Sequence, residues 1–194
     1  MTVPGTETAP DARLKELIVE LTLFRNEEGF TLASGRKSTF LFNLKNLYGE
    51  PEAARLVTNR LLDTLGTLEF DLIAGIELGA VFPVTAAILQ SATTDKPIRG
   101  FVVRKKAKGH GSLNRIECLK EIPQGSRVVP IDDVTTTGGS LLEAVQVARD
   151  LGCTVTHAIT LIDREEGANE RLAEEGITLV PLYTKSDFLG PDVK

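Results

Sequence analysis

Residues 128 to 140 read VVPIDDVTTTGGS. A short apolar run, suited to a buried strand, meets two adjacent carboxylates, Asp132 and Asp133. A cluster of threonines and glycines then leads into the amphipathic stretch LLEAVQVARDL. Strand, polar loop and helix in that order form half of a parallel strand-helix-strand unit, and in such sheets ligands collect at the carboxyl ends of the strands. The loop chemistry suits an anion. Gly138 and Gly139 let the backbone come close, and Thr135, Thr136, Thr137 and Ser140 carry hydroxyls. The first amides of the following helix lack intrahelical acceptors and lie at the positive end of its dipole. Asp132 and Asp133 would repel a phosphate that touched them, so they are expected to face a cation or the hydroxyls of the same ligand, as a ribose would offer. An ordinary capped turn explains a lone Gly-Gly-Ser but leaves the paired carboxylates without a role. Pro130 removes a backbone donor from the strand and predicts an edge position or local irregularity.

Outward from this segment the alternation continues. The runs DLIAG (71–75), GFVV (100–103), RVVPI (127–131) and THAITLI (156–162) read as strands, with helices near 80–92, 140–151 and 167–175. This is the pattern of an α/β protein, a parallel sheet flanked by helices. Upstream, Leu14, Leu17, Ile18 and Leu21 repeat at helical spacing from Pro10-Asp11 onward. FTLAS (30–34), the turn GRKS and TFLFNL (39–44) predict a hairpin, and Pro51 opens a helix carrying Leu56, Leu61, Leu62 and Leu65. Residues 1–10, with Pro4, Gly5 and Pro10, are expected to be a mobile tail.

Composition sets limits. The chain has 194 residues, 42% of them hydrophobic, enough for one buried core but short for two at roughly 100 to 150 residues per domain. Lys and Arg total 22 against 27 Asp and Glu, a formal charge of −5, which speaks against a general nucleic-acid or membrane-surface role. Two cysteines, Cys118 and Cys153, have neither metal nor redox spacing and are expected to be inert thiols. The first residues lack a basic segment followed by an apolar one, and no run reaches the roughly 20 apolar residues of a membrane span. A soluble, cytoplasmic protein is expected.

A second constellation is VVRKKAKGHGSLNRIE (102–117), which gathers Arg104, Lys105, Lys106, Lys108 and His110 around Gly109 and Gly111. Alone, such a run reads as a solvated face or a flexible loop. Beside a phosphate cradle it gains a role. A departing pyrophosphate needs several positive charges, and a glycine-hinged loop can deliver them while excluding water.

Together these motifs resemble the type I phosphoribosyltransferases, whose phosphoribosyl-pyrophosphate signature is similar to VVPIDDVTTTGGS; no P-loop pattern is present. Within that family, the basic stretch, FTLASGRKSTFLFN (30–43), IAGIELGA (73–80) and DREEGANERL (163–172) resemble the orotate phosphoribosyltransferases. The resemblance implies the type I phosphoribosyltransferase fold as a single domain over 11–194, with a small N-terminal hood over about 11–50 and a parallel-sheet core over about 51–194. It implies transfer of phosphoribosyl from 5-phosphoribosyl 1-pyrophosphate to orotate in de novo pyrimidine (UMP) biosynthesis. Mg²⁺ would be held mainly by substrate, and a homodimer would share its active sites across the interface.

At matched positions, Arg104, Lys105, Lys108 and His110 are implied to contact pyrophosphate, and Asp132 and Asp133 the ribose. Thr136, Thr137, Gly138, Gly139 and Ser140 would surround the 5′-phosphate, with Thr136 also near the base, and Val134 and Thr135 would join them in binding phosphoribosyl pyrophosphate. Arg164 would read orotate, the backbone at Leu41 and Phe42 would hold it, and Glu77 to Ala80 would lie near the pyrophosphate. A helix-start salt bridge to Glu165 or Glu166 is the plainer reading of Arg164. Lys106 matches no contact. Ala33 stands where some members carry a lysine, and Lys37 is the candidate substitute. His157, in an apolar run, is expected to be buried and hydrogen-bonded. Transfer to another base and non-catalytic sensing of phosphoribosyl pyrophosphate remain alternatives; the complete basic set disfavours the sensor.

Overall fold

The computed structural model describes residues 9–31, 37–106 and 115–190. The chain opens with α1 (Ala9–Thr22) and a two-stranded antiparallel sheet of β1 (Leu23–Thr31) and β2 (Lys37–Phe42). A 3₁₀ helix, η1 (Leu44–Gly49), leads into α2 (Pro51–Leu65), where Pro51 occupies the first turn and its missing amide costs nothing. Then come β3 (Leu72–Ile76), α3 (Val81–Ser91), β4 (Arg99–Val103), β5 (Ile116–Glu117), β6 (Val128–Thr135), α4 (Gly139–Asp150), β7 (His157–Asp163), α5 (Ala168–Glu174), β8 (Thr178–Thr184) and α6 (Ser186–Leu189).

The larger sheet has the order β5-β4-β3-β6-β7-β8, parallel except for β5. Both of its faces are covered, which is why its strands read as continuous apolar runs. Ile73, Val102, Val129 and Ile131 pack with α1, α2 and α3. Leu72, Ala74, Phe101 and Val103 pack with Leu141 and Val145 of α4 and Leu172 of α5. Phe40 and Phe42 of β2 belong to the first of these clusters, so the small sheet is continuous with that layer. An aromatic file extends the contact: Phe40 meets Phe42 at 5.8 Å between ring centroids, Phe42 meets Phe188 at 5.7 Å, and Phe188 meets Tyr183 at 5.6 Å.

Strand order reverses between β3 and β6. The chain places β4 on one side of β3 and returns to set β6 on the other, so a crevice opens at the carboxyl ends of this pair.

Several expectations change. Pro130 lies on an interior strand, not an edge. The ladder between β3 and β6 ends at Ala74 opposite Pro130, and pairing of β6 with β7 begins at Ile131, so the missing donor falls where β6 passes from one neighbour to the other. Ala9 and Pro10, expected in the tail, start α1, and residues 1–8 lie outside the described residues. The first arm of the hairpin begins at Leu23, well before Phe30, with a register shift between Arg25 and Phe30; most of its turn is outside the described residues. His157 is half-buried, its Nδ1 2.9 Å from Thr156 Oγ1 at the start of β7. Cys118 is exposed, Cys153 is buried, and both are free thiols. No helix among the described residues is long and apolar enough to cross a membrane.

Candidate active site

At the crevice, β6 carries its strand geometry through the two aspartates. Asp132 lies opposite Thr160 of β7, and Thr135 opposite Asp163. Asp132 Oδ1 accepts the amide of Asp133 at 3.0 Å, and Asp133 Oδ1 accepts the amide of Val134 at 2.9 Å. Burial, and then the charge of Asp133, push the Asp132 carboxyl well above its ordinary value; the Asp133 amide and the Lys105 charge oppose the shift. Gly79 closes over the pair from the loop after β3. A Cβ there would stand 2.2 Å from Asp133 Oδ1, so glycine is required by the approach of the carboxylate. Glu77, in the same loop, accepts the amide of Lys105 at 2.8 Å and fastens the end of β4 to the crevice.

The basic stretch is described only at its ends. Arg104 donates its amide to the Arg115 carbonyl at 2.8 Å, and Arg115 Nε returns a bond to the Arg104 carbonyl at 2.8 Å. Arg104 Nη1 also pairs with Glu117 at 3.1 Å, so its charge is engaged within the chain. Lys108 and His110 lie outside the described residues, as does Ala33. Lys37 stands exposed at the start of β2.

The cradle expected before α4 takes a definite form. Gly138 is the N-cap in left-handed conformation, φ 77°, and no side chain caps the helix. The first amides of α4 are thus left without a side-chain acceptor from the cap. The glycine is needed for its backbone angle: a Cβ at Gly138 would meet Ala168 and Leu172 of α5 at 3.6 Å, an ordinary contact distance. Thr136, Thr137 and Ser140 are half-buried at this end, and the Thr137 carbonyl accepts Arg171 Nη1 at 3.3 Å. Thr135 departs from expectation. Its hydroxyl donates to Thr160 Oγ1 at 2.9 Å and its carbonyl accepts the Arg164 amide at 2.9 Å, so neither group faces the cradle.

Arg164, just past β7, is 2% exposed. Its Nε donates to Glu166 at 2.7 Å, Nη2 to Ser38 Oγ at 3.1 Å and Nη1 to the Phe40 carbonyl at 3.5 Å. The guanidinium lies over the Phe40 ring, 4.3 Å from its centroid. The salt bridge to Glu166 is therefore present, and the rest of the same side chain reaches β2. Leu41 and Phe42 lie on that strand, half-buried and buried.

Sequence reasoning missed Lys45 and Tyr48. Lys45 Nζ stands 3.6 Å from Asp133 Oδ2. Tyr48 is half-buried, its hydroxyl buried with no hydrogen-bond partner among the described residues, and burial followed by the charge of Asp133 pushes its phenol up. Their spacing of three, just after β2, is the available signal, since a 3₁₀ turn aligns i and i+3.

The described geometry matches a known pattern. The phosphoribosyl transferase domain family matches residues 43–180. The orotate phosphoribosyltransferase of Rhodopseudomonas palustris strain BisB5 is 44% identical over 187 residues, 95% of this chain and 98% of that protein. The crystal structure of Mycobacterium tuberculosis orotate phosphoribosyltransferase with Fe(III) dicitrate superposes with a TM-score of 0.78 at 30% identity, covering 93% of this chain and 99% of the other. That protein's complex with 5-phospho-α-D-ribosyl 1-diphosphate gives 0.71 at 28% identity, covering 92% and 98%. The fold and its crevice define a type I phosphoribosyltransferase. Within that class, the chain belongs to the orotate phosphoribosyltransferase family.

Proposed function

We propose that this chain moves the phosphoribosyl group of 5-phosphoribosyl 1-pyrophosphate onto N1 of orotate, giving orotidine 5′-monophosphate and pyrophosphate. As a member of its family the chain is a pentosyl-transferring enzyme of pyrimidine biosynthesis. The observation that carries the choice of base is Arg164, a planar cation buried against β2 at the same sheet end as the carboxylates and the uncapped helix. Its Nη1 and Nη2 donate to neutral acceptors, the Phe40 carbonyl and the Ser38 hydroxyl, and a flat anionic pyrimidine would offer them better ones. Leu41 and Phe42 would hold the base from the backbone.

In the transition state the sugar carbon becomes cation-like while negative charge gathers on pyrophosphate. Asp132 and Asp133 hold the ribose hydroxyls, and Thr136 to Ser140 with the first amides of α4 hold the 5′-phosphate. Arg104, Lys105, Lys108 and His110 balance the leaving group, with Lys37 a further cation. Positioning and fixed charge do the work, and no protein nucleophile is needed because the acidic pyrimidine supplies the attacking nitrogen. Mg²⁺ suits the donors present. Asp132 and Asp133 offer hard oxygens that would hold it, but among the described residues no group of three or more His, Cys, Asp or Glu forms a cage. Substrate phosphates and water would complete its shell. When bound, the ion supplies neutralisation of the pyrophosphate charge.

The hood over about 11–50 and the core over 51–194 act as one domain, in the cytoplasm, and the enzyme works as a homodimer whose basic loops close over the neighbouring sites. Incubation with phosphoribosyl pyrophosphate, Mg²⁺ and each of orotate, uracil, hypoxanthine and adenine tests the reading through pyrophosphate release. Release with orotate alone is expected. Release with a purine transfers the assignment to another base, and binding without release makes the protein a sensor.

A further inference from the structure

The Asp133 carboxylate is held from more than one side. Oδ1 takes the Val134 amide, and Gly79 leaves no room for a further side chain beside it. Oδ2 faces Lys45 Nζ at 3.6 Å, an ion-pair distance longer than a hydrogen bond. Lys45 reaches in from η1, where its side chain is 39% exposed while that of Asp133 is 13% exposed. The same turn presents Tyr48, whose ring stacks on Phe82 of α3 at 5.9 Å and anchors η1 against that helix. Lys105 is a second cation near the pair, and its charge acts on Asp132. Two lysines on two elements thus serve two carboxylates. Because η1 follows directly on β2, Lys45 also joins the strand assigned to the base to the carboxylate assigned to the ribose.

We propose that Lys45 is a positioning residue of the ribose site, holding the Asp133 carboxylate in the orientation that receives the sugar hydroxyls. The inference rests on the phosphoribosyl-pyrophosphate reading of the crevice. An isolated ion pair on a rim contributes little to stability, whereas a misplaced ligand-holding group is felt strongly in binding. Lys45 should therefore show in substrate affinity and hardly in folding.

The test uses Lys45→Met, Lys45→Arg, Asp133→Asn and the Lys45→Met/Asp133→Asn pair, with phosphoribosyl pyrophosphate affinity measured by calorimetry and KM and kcat by initial rates. Lys45→Met should weaken phosphoribosyl pyrophosphate about tenfold, leave the KM for orotate within about twofold and keep the melting temperature of the free protein. Lys45→Arg should restore most of the affinity, and Lys45→Met should add little to Asp133→Asn, since both act on one group. The proposal is overturned by wild-type affinity in Lys45→Met, by a loss of the same size in the Asp133→Asn background, or by an unfolding shift that accounts for the loss. Absence of binding by the wild-type protein would instead overturn the reading of the crevice, and the proposal with it.

Discussion

Asp71 and Asp132 lie at opposite ends of one sheet and meet opposite surroundings. At the amino end, Asp71 receives the Arg127 amide at 2.8 Å, Nε at 3.1 Å and Nη2 at 3.0 Å, while Glu69 takes Nη1 at 2.7 Å. The side-chain and then the backbone hydrogen bonds from Arg127 lower the Asp71 carboxyl to about 2. At the carboxyl end, Asp132 is buried beside a second carboxylate and its affinity for a proton rises. One end satisfies its charges internally. At the other, Asp132 is buried against a like charge and Asp133 meets Lys45 at 3.6 Å, longer than a hydrogen bond, as suits a site that takes a cationic or hydroxylated ligand.

The sharpest way to break this contrast is at the buried pair. Asp132→Asn should lower kcat/KM on the order of 100- to 1000-fold, yet raise the melting temperature in metal-free buffer at pH 8. The sign follows from linkage. A carboxyl with a raised folded value binds its proton more tightly folded than unfolded, so its presence penalises folding increasingly as pH climbs from 3.8 through the raised value. The stability gain of the variant should vanish below that window. A lower melting temperature at pH 8 would mean that the pair stabilises the fold and that the two ends do not differ.

Arg164→Ala comes next. It should cost kcat/KM for orotate about 2 to 4 kcal/mol, as expected for a buried charged contact, with affinity for phosphoribosyl pyrophosphate little changed by calorimetry. Intact orotate kinetics would move the base site away from β2. Gly138→Ala should have a smaller effect, destabilising the protein by about 1 to 2 kcal/mol through its left-handed angle, read from the urea midpoint by circular dichroism. Smallest of all, Asp71→Asn should leave kcat/KM unchanged and lower the melting temperature only slightly at pH 7. The wild-type contribution is present above the ordinary carboxylate value of 3.8 and is lost as pH falls through about 2, so the two proteins should converge in acid.

The parts of the molecule that one segment determines were readable in sequence. The strand, loop and helix of 128–150 signal themselves by local chemistry, and Asp132, Asp133 and Gly138 could be singled out there. Strand β8 was not anticipated, because Pro181 interrupts an otherwise apolar run and its place beside β7 depends on the whole sheet. Thr135 was assigned to the cradle because a hydroxyl in a loop looks available; one more residue of strand turns it inward to Thr160. Lys45 and Tyr48 stayed hidden because Asp133, which pairs with the first and whose charge acts on the second, is distant in the chain, and the packing of η1 on β6 brings them together.

The aromatic file from Phe40 through Phe42 and Phe188 to Tyr183 bears on how the protein is made. A ribosome produces β2 well before the residues of β8 and α6, so the strand proposed to hold the base emerges long before the rings that brace it exist. During synthesis the small sheet can form its hairpin, but its full seat against the larger sheet awaits β8 and α6. Strand β2 is thus begun early and braced late, and slow translation of the stretch that carries β8 and α6 would be felt there before the central strands, whose neighbours are closer in sequence.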